Sequence, residues 1–301
     1  MEQLWGIGSA TSHSGIADHL RYVSVESARS VLEKRGATAE IDILWSAIAC
    51  GMALETYLKW VLAKLSPNLV ASLREDGAAT MIYLSGHRGL DGMSPTGIRT
   101  ITAANALTQV IRIHPELKTL TKHCDDVFST RNAAAHMGLV STIELATAIE
   151  KLVRIINCLE ILQGKMPKDF WGLQAAAATA IVDEAASEAQ RSLETKLSGA
   201  RKRFAELNEN YDQERLERVL SEMERQTPRY LDLPLTESAW CPACGREARV
   251  GLTAVPAEYG RDEDGNPSSN WEMCPDSLEC TVCSLNLSEA EYDEFTKKYT
   301  F

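Results

Sequence analysis

The stretch Glu40–Leu65, EIDILWSAIACGMALETYLKWVLAKL, decides the fold. It is apolar over most of its circumference and stops before Ser66-Pro67, where proline disfavours helical backbone in the residue ahead of it. A helix so apolar belongs at the centre of a bundle. Glu55 is its only charged residue between Ile43 and Leu58. An unpaired buried carboxylate is costly, so Glu55 is expected to pair with Arg131 or a neighbouring lysine rather than to be simply exposed. Working outward, Val25, Ala28, Val31 and Leu32 recur at helical spacing between about Ser24 and Arg35, with Gly36 as the stop. Residues 66 to about 103, rich in Gly, Ser, Asp and Pro, read as an irregular insertion with room for one short helix.

Helical pattern resumes from Ala103 to Ile113 and again from Pro115, through Leu117, Leu120, Cys124, Val127 and Phe128. That segment runs into Arg131-Asn132. After Gly138, Ile143, Leu145, Ile149, Leu152, Ile155, Ile156 and Leu159 mark another helix that ends near Gly164. Residues 1–165 are therefore expected to form a helical domain. Residues 166–229 read as a helical arm or linker, whose Leu193, Leu197, Ala200, Phe204, Leu207 and Tyr211 alternate like a coiled-coil seam able to extend a dimer interface. Residues 230–301 form a small β-rich module, with a strand at 248–253, a turn at 261–267 and a closing helix from Ser288 to Lys298.

The net charge of −11 is unevenly spread. Residues 1–165 hold 16 Lys and Arg against 16 Asp and Glu, and the remainder supplies the whole acidic excess. A broad phosphate-binding surface is excluded, so any nucleic-acid contact must be local or confined to a cleft between copies. The start of the chain has neither the basic residues nor the apolar run of a secretory signal, and the sequence shows no uninterrupted apolar stretch of membrane-spanning length. A cytoplasmic chain with no membrane partner is expected.

Arg131-Asn132-Ala133-Ala134-Ala135-His136 is the first candidate site. At the end of a helix, an arginine and a histidine five positions apart can address one phosphate: imidazole exchanges protons near neutral pH and guanidinium holds phosphate oxygens in pairs. Over about residues 20–163 the chain resembles the HEPN family of compact helical bundles. In that family an RxxxxH motif, commonly with asparagine after the arginine, follows a helix and faces the same motif of a second protomer. Arg131, Asn132 and His136 match position by position, and Leu54-Glu55-Thr56-Tyr57-Leu58-Lys59 is similar to the family's preceding helix. The resemblance implies a metal-independent endoribonuclease acting as a homodimer in a toxin-like or defence role. His136 would be general base or acid, Arg131 would bind the phosphate, and Asn132 would orient the arginine or a phosphate oxygen. RNA's own 2′-hydroxyl would be the nucleophile, leaving a 2′,3′-cyclic phosphate. Some members place a tyrosine two residues beyond the histidine, a variant tied to regulation by a nucleotidyltransferase; here the chain reads His136-Met137-Gly138. Members that only dimerise supply the alternative, a non-catalytic adaptor.

The second candidate is Cys241-Pro242-Ala243-Cys244 with Cys280-Thr281-Val282-Cys283. Two CxxC knuckles deliver four thiolates, the shell that structural zinc prefers, and the segment resembles a zinc ribbon with Trp240 and Trp271 expected to cover the metal. A thioredoxin-type redox motif is disfavoured by the second CxxC and the missing βαβ pattern. Cys274 is spare. Residues 237–301 carry 13 Asp and Glu against 5 Lys and Arg, so a protein partner suits the ribbon better than nucleic acid. The fold class expected is mainly α: a HEPN-like bundle, a long coiled-coil-like arm and a small β-rich zinc ribbon.

Overall fold

The computed structural model describes residues 13–72, 77–85, 98–226, 235–261 and 267–299, with the side chains of 13, 14, 255–272 and 299 outside the description. Its helices are α1 (His13–Glu33), α2 (Glu40–Leu65), α3 (Gly77–Leu84), α4 (Ala103–Ile113), α5 (Thr121–Met137), α6 (Thr142–Leu162), α7 (Pro167–Trp171), α8 (Ala175–Asn210), α9 (Gln213–Glu224) and α10 (Glu289–Tyr299). The strands β1 (Thr236–Trp240), β2 (Glu247–Arg261), β3 (Pro267–Cys280) and β4 (Leu285–Leu287) form one sheet in the order β1-β2-β3-β4. The protein is mainly α with a small antiparallel sheet near its C-terminal end. Two compact units divide inside α8: Met1–Val182 with Glu258–Ser268, and Asp183–Ala257 with Ser269–Phe301.

In the first unit α2 is the axis, as its composition requires. Leu54, Tyr57, Leu58 and Leu62 are fully buried against Leu152, Ile155, Ile156 and Leu159 of α6 and Val127 of α5. Burying each such side chain stabilises the fold by about 1.5–3 kcal/mol. Small residues let α1 approach closely: Ala28 and Ala53 are both fully buried, and the Ser24 hydroxyl donates to the Ala53 carbonyl at 2.8 Å. α1 begins well ahead of the expected Ser24, because Ile16 and Leu20 continue the packed face. In the insertion, Pro67–Val70 forms a 3-10 turn ahead of α3, and residues 73–76 and 86–97 lie outside the described residues. α6 starts on a capping box, in which the Ser141 hydroxyl accepts from the Glu144 amide and the Glu144 carboxylate accepts from the Ser141 amide. By length and composition α2, although interrupted by Glu55 and Lys59, has a best-window mean hydropathy of 1.3, high enough for a helix that could cross a bilayer. Half of that window is buried inside the bundle, the setting of a core helix.

The expected separate arm is divided between the two cores. Phe170 and Trp171 of α7 pack in the first unit, where Trp171 donates its indole N–H to Asn157 Oδ1 at 2.7 Å. In the second unit the seam residues Leu193, Leu197 and Ala200 are buried with Leu220 of α9, Val250, Leu252, Leu278, Leu285 and Leu287. A periodic apolar stripe tells that something covers a helix; here this chain's own sheet and α9 do so. Ser288 stands before α10 as expected, but its hydroxyl donates to Glu291 Oε2 at 2.9 Å instead of accepting from a backbone amide. The expected turn at 261–267 falls mostly outside the described residues.

Candidate functional sites

Arg131, Asn132 and His136 all sit on α5, which continues to Met137; the chain bends only at Gly138, whose φ of 64° gives the left-handed helix end. The motif thus lies at the end of the helix, as expected, but wholly within helical backbone, with His136 in the last turn. At about 100° per residue, positions five apart point about 140° away from each other round the helix. Asn132 and His136, four apart, therefore share the exposed face, while Arg131 turns toward α2.

Arg131 reaches α2 across Gly51. A Cβ built on Gly51 would stand 2.4 Å from Arg131 Cγ and 2.5 Å from its Cβ, so only glycine admits the side chain there. The arginine then meets Glu55: Nη1 lies 3.2 Å from Oε2. The other carboxylate oxygen, Oε1, accepts from Lys59 Nζ at 2.5 Å, and that ammonium also donates to Thr100 Oγ1 at 2.9 Å. Glu55 thus pairs with both Arg131 and a neighbouring lysine. Two cations on one carboxylate leave a net positive charge, with Lys59 itself buried. The Arg131 Nε–H has no acceptor among the described residues, so the guanidinium keeps an unused donor there. Asp126 is held by Lys151, away from this cluster's ion pairs.

Exposed apolar side chains flank the group. Ile41, Trp45 and Met52 of α2 are exposed and Ile48 is half-buried, at the spacing of one helix face that leads to Glu55. Past the motif, Met137 is 70% exposed, Leu139 66% and Ile143 77%. Neither Gly51 nor this stripe was singled out from the sequence. The periodicity of α2 showed an apolar helix without telling which residues its neighbours leave uncovered.

The four cysteines come together as expected. Their sulfurs all lie within 4.8 Å of one another, with Cys241 and Cys283 at 3.5 Å and Cys244 and Cys280 at 3.6 Å. A tetrahedron of sulfurs about 2.3 Å from zinc has edges of about 3.8 Å, so the set fits a metal ion such as zinc. Each knuckle ends on a left-handed residue, Gly245 at φ 67° and Ser284 at φ 55°. The first is closed by Gly245 N donating to the Cys241 carbonyl at 2.9 Å. Arg203 of α8 secures the second, donating from Nε to the Cys283 carbonyl at 2.8 Å and from Nη2 to that of Ser284 at 3.2 Å. Crowding sets the thiols apart electrostatically: hydrogen bonds with Cys241, Cys244 and Cys280 push Cys283 up, while the bond with Cys241 draws Cys244 below the ordinary thiol range. A dication removes that competition by accepting four thiolates. Cys274 stands outside the four. Trp240 is 78% exposed and does not cover the sulfurs, because it falls on the outer face of edge strand β1, and Trp271 lies outside the described side chains.

No family model, curated protein or solved structure matches the chain.

Proposed function

We propose that the helical unit is a metal-independent endoribonuclease of the HEPN type, working as a homodimer whose site combines Arg131, Asn132 and His136 from two copies. The observation that carries this reading is Arg131 seated over Gly51 and bonded to Glu55, beside exposed Asn132 and His136. Because Arg131 and His136 diverge on one helix, a phosphate held by the arginine of one copy meets the imidazole of the other. The apolar stripe of α2 with Met137 and Ile143 gives the copies a surface on which to associate.

In this site Glu55 is a positioning residue that keeps the guanidinium extended, and the residual positive charge of the Glu55–Arg131–Lys59 group draws the scissile phosphate. The imidazole takes the 2′-hydroxyl proton as the 2′-oxygen bonds to phosphorus. The P–O5′ bond breaks, the 5′-oxygen takes the proton now held by the imidazolium, and a 2′,3′-cyclic phosphate remains. The four cysteines hold structural zinc, which supplies folding energy to the ribbon and takes no part in cleavage. By the family resemblance the biological role is that of a toxin-like or defence effector in the cytoplasm, and the acidic ribbon is the surface for a protein partner.

A second reading is a non-catalytic dimeric adaptor. It is favoured by the engagement of Arg131 with Glu55, since a guanidinium committed to a carboxylate stabilises a fold without any substrate.

Purified protein incubated with RNA in EDTA, with zinc content followed in parallel, separates the two. The nuclease reading expects cyclic-phosphate ends that vanish in His136→Ala and in Arg131→Ala. RNA left intact by a dimeric wild type, under all triggering conditions, selects the adaptor.

A further inference from the structure

Away from the α5 motif, a cavity of about 400 Å³ opens between α1, the end of α2 and the segment after α6. Its floor is the buried ring of Trp60, and three cations converge on it: Arg21 Cζ at 4.5 Å from the ring centroid, Lys165 Nζ at 4.8 Å and Lys64 Nζ at 4.9 Å. An aromatic face attracts one cation well, but three gathered round one ring repel each other. Arg21 is compensated, with Nη1 and Nη2 donating to the two oxygens of fully buried Glu160 at 2.7 and 3.0 Å. Tyr57 also donates to Glu160, at 2.7 Å. Lys64 and Lys165 are not compensated in this way. Lys64 donates to the Gln163 amide oxygen at 2.9 Å, and Lys165 makes no ion pair among the described residues, with only solvent-facing Asp18 at the rim. Burial, then repulsion from Arg21 and Lys64, pulls Lys165 below the ordinary lysine range, which its attraction to Glu160 and Asp18 does not undo.

We propose that this cavity binds a small phosphate monoester, with Lys64 and Lys165 as ligands of its phosphoryl group. The guanidinium fork that would grip a carboxylate is already filled by Glu160, leaving two ammonium point charges, which match a dianion better than a monoanion. The volume falls at the small end of the about 300–1,000 Å³ usual for small-molecule sites, leaving space for the organic part of an ester. Residues 1–165 are charge-neutral as a whole, so no broad basic surface leads a polynucleotide to this cavity. The site is independent of the nuclease reading.

Calorimetric titration of the full chain at fixed ionic strength tests this, with adenosine 5′-monophosphate, inorganic phosphate and adenosine as probes. The monophosphate is expected to bind saturably with Kd at or below about 1 mM, and a Lys64→Gln/Lys165→Gln double variant to bind at least about tenfold more weakly. Lys202→Gln, an exposed position on α8 outside both the cavity and the α5 motif, should bind like wild type, and Lys165→Arg should retain binding, which separates loss of the site from loss of the fold. Absence of saturable binding, an unaffected double variant, or adenosine binding as tightly as its monophosphate overturns the proposal. Equal affinity for inorganic phosphate overturns the ester in favour of the free anion. Competition by an RNA lacking terminal phosphate overturns the small ligand in favour of a polynucleotide.

Discussion

The helical unit is held by a large apolar core in which Leu54, Leu58, Leu152, Ile155 and Leu159 are fully buried, while the ribbon unit closes round four sulfurs with a much shorter roll of apolar partners. Each also carries charge, in opposite ways. The helical unit matches buried charges side chain to side chain, Glu160 with Arg21 and Glu55 with Arg131 and Lys59. The ribbon crowds four titratable groups into one place, in a geometry that could hold a metal ion such as zinc. The stability of the first is thus distributed over many contacts, and that of the second is concentrated in one centre. The comparison can be broken at either end.

The largest effect is expected from Cys280→Ser or from a strong chelator. Apparent binding free energies of structural zinc run to about 10–16 kcal/mol, so the ribbon should lose its order while the helical unit keeps its helicity. Limited proteolysis with metal analysis checks this; loss of both units together would deny their independence. Next comes Glu160→Gln, which leaves Arg21 without its counter-charge and should cost about 3–5 kcal/mol in chemical denaturation. Gly51→Ala should follow at about 1–3 kcal/mol, because the new methyl meets the stiff inner part of Arg131 and forces α2 from α5. It should lower RNA cleavage more than it lowers stability.

The smallest effect belongs to Glu291 of α10. Burial acts to raise its carboxyl, but hydrogen bonds from Lys196, Ser192 and Ser288 outweigh burial and hold it below the usual carboxylate range. A depressed folded-state value means stability that is present above the unfolded value, about pH 4.3, and lost as pH falls through the folded one. The gap in unfolding midpoint between wild type and Glu291→Gln should therefore be open at neutral pH and close in acid.

What the sequence disclosed follows from how local each signal is. The α2 limits, Glu40 and Leu65, are set by composition and by Ser66-Pro67, both visible within a few residues. The four sulfurs were legible because CxxC spacing dictates its own geometry. That Glu55 needs a cation, Arg131 or a neighbouring lysine, could be read from cost, since a lone charge on a core helix needs a partner; that it takes both Arg131 and Lys59 could not. Gly51, Arg203 and the Trp60 cavity were not legible, because each gains its role from a residue distant in sequence. The seam of α8 illustrates the same limit. Its repeat was plain, but what would cover it lay in residues 216–287. Trp240 was misplaced because strand alternation, unread in so short a segment, turns it outward.

The central claim is that the two halves of the α5 motif act across copies, and mixing inactive variants tests it most directly. Arg131→Ala and His136→Ala are each purified, combined under conditions where subunit exchange is verified, and assayed for cyclic-phosphate ends on RNA in EDTA. The account predicts that each variant alone is silent and that the mixture cleaves, because one mixed interface reunites an intact arginine with an intact histidine. A mixture that exchanges subunits yet stays silent, or a variant that alone cleaves like wild type, contradicts it.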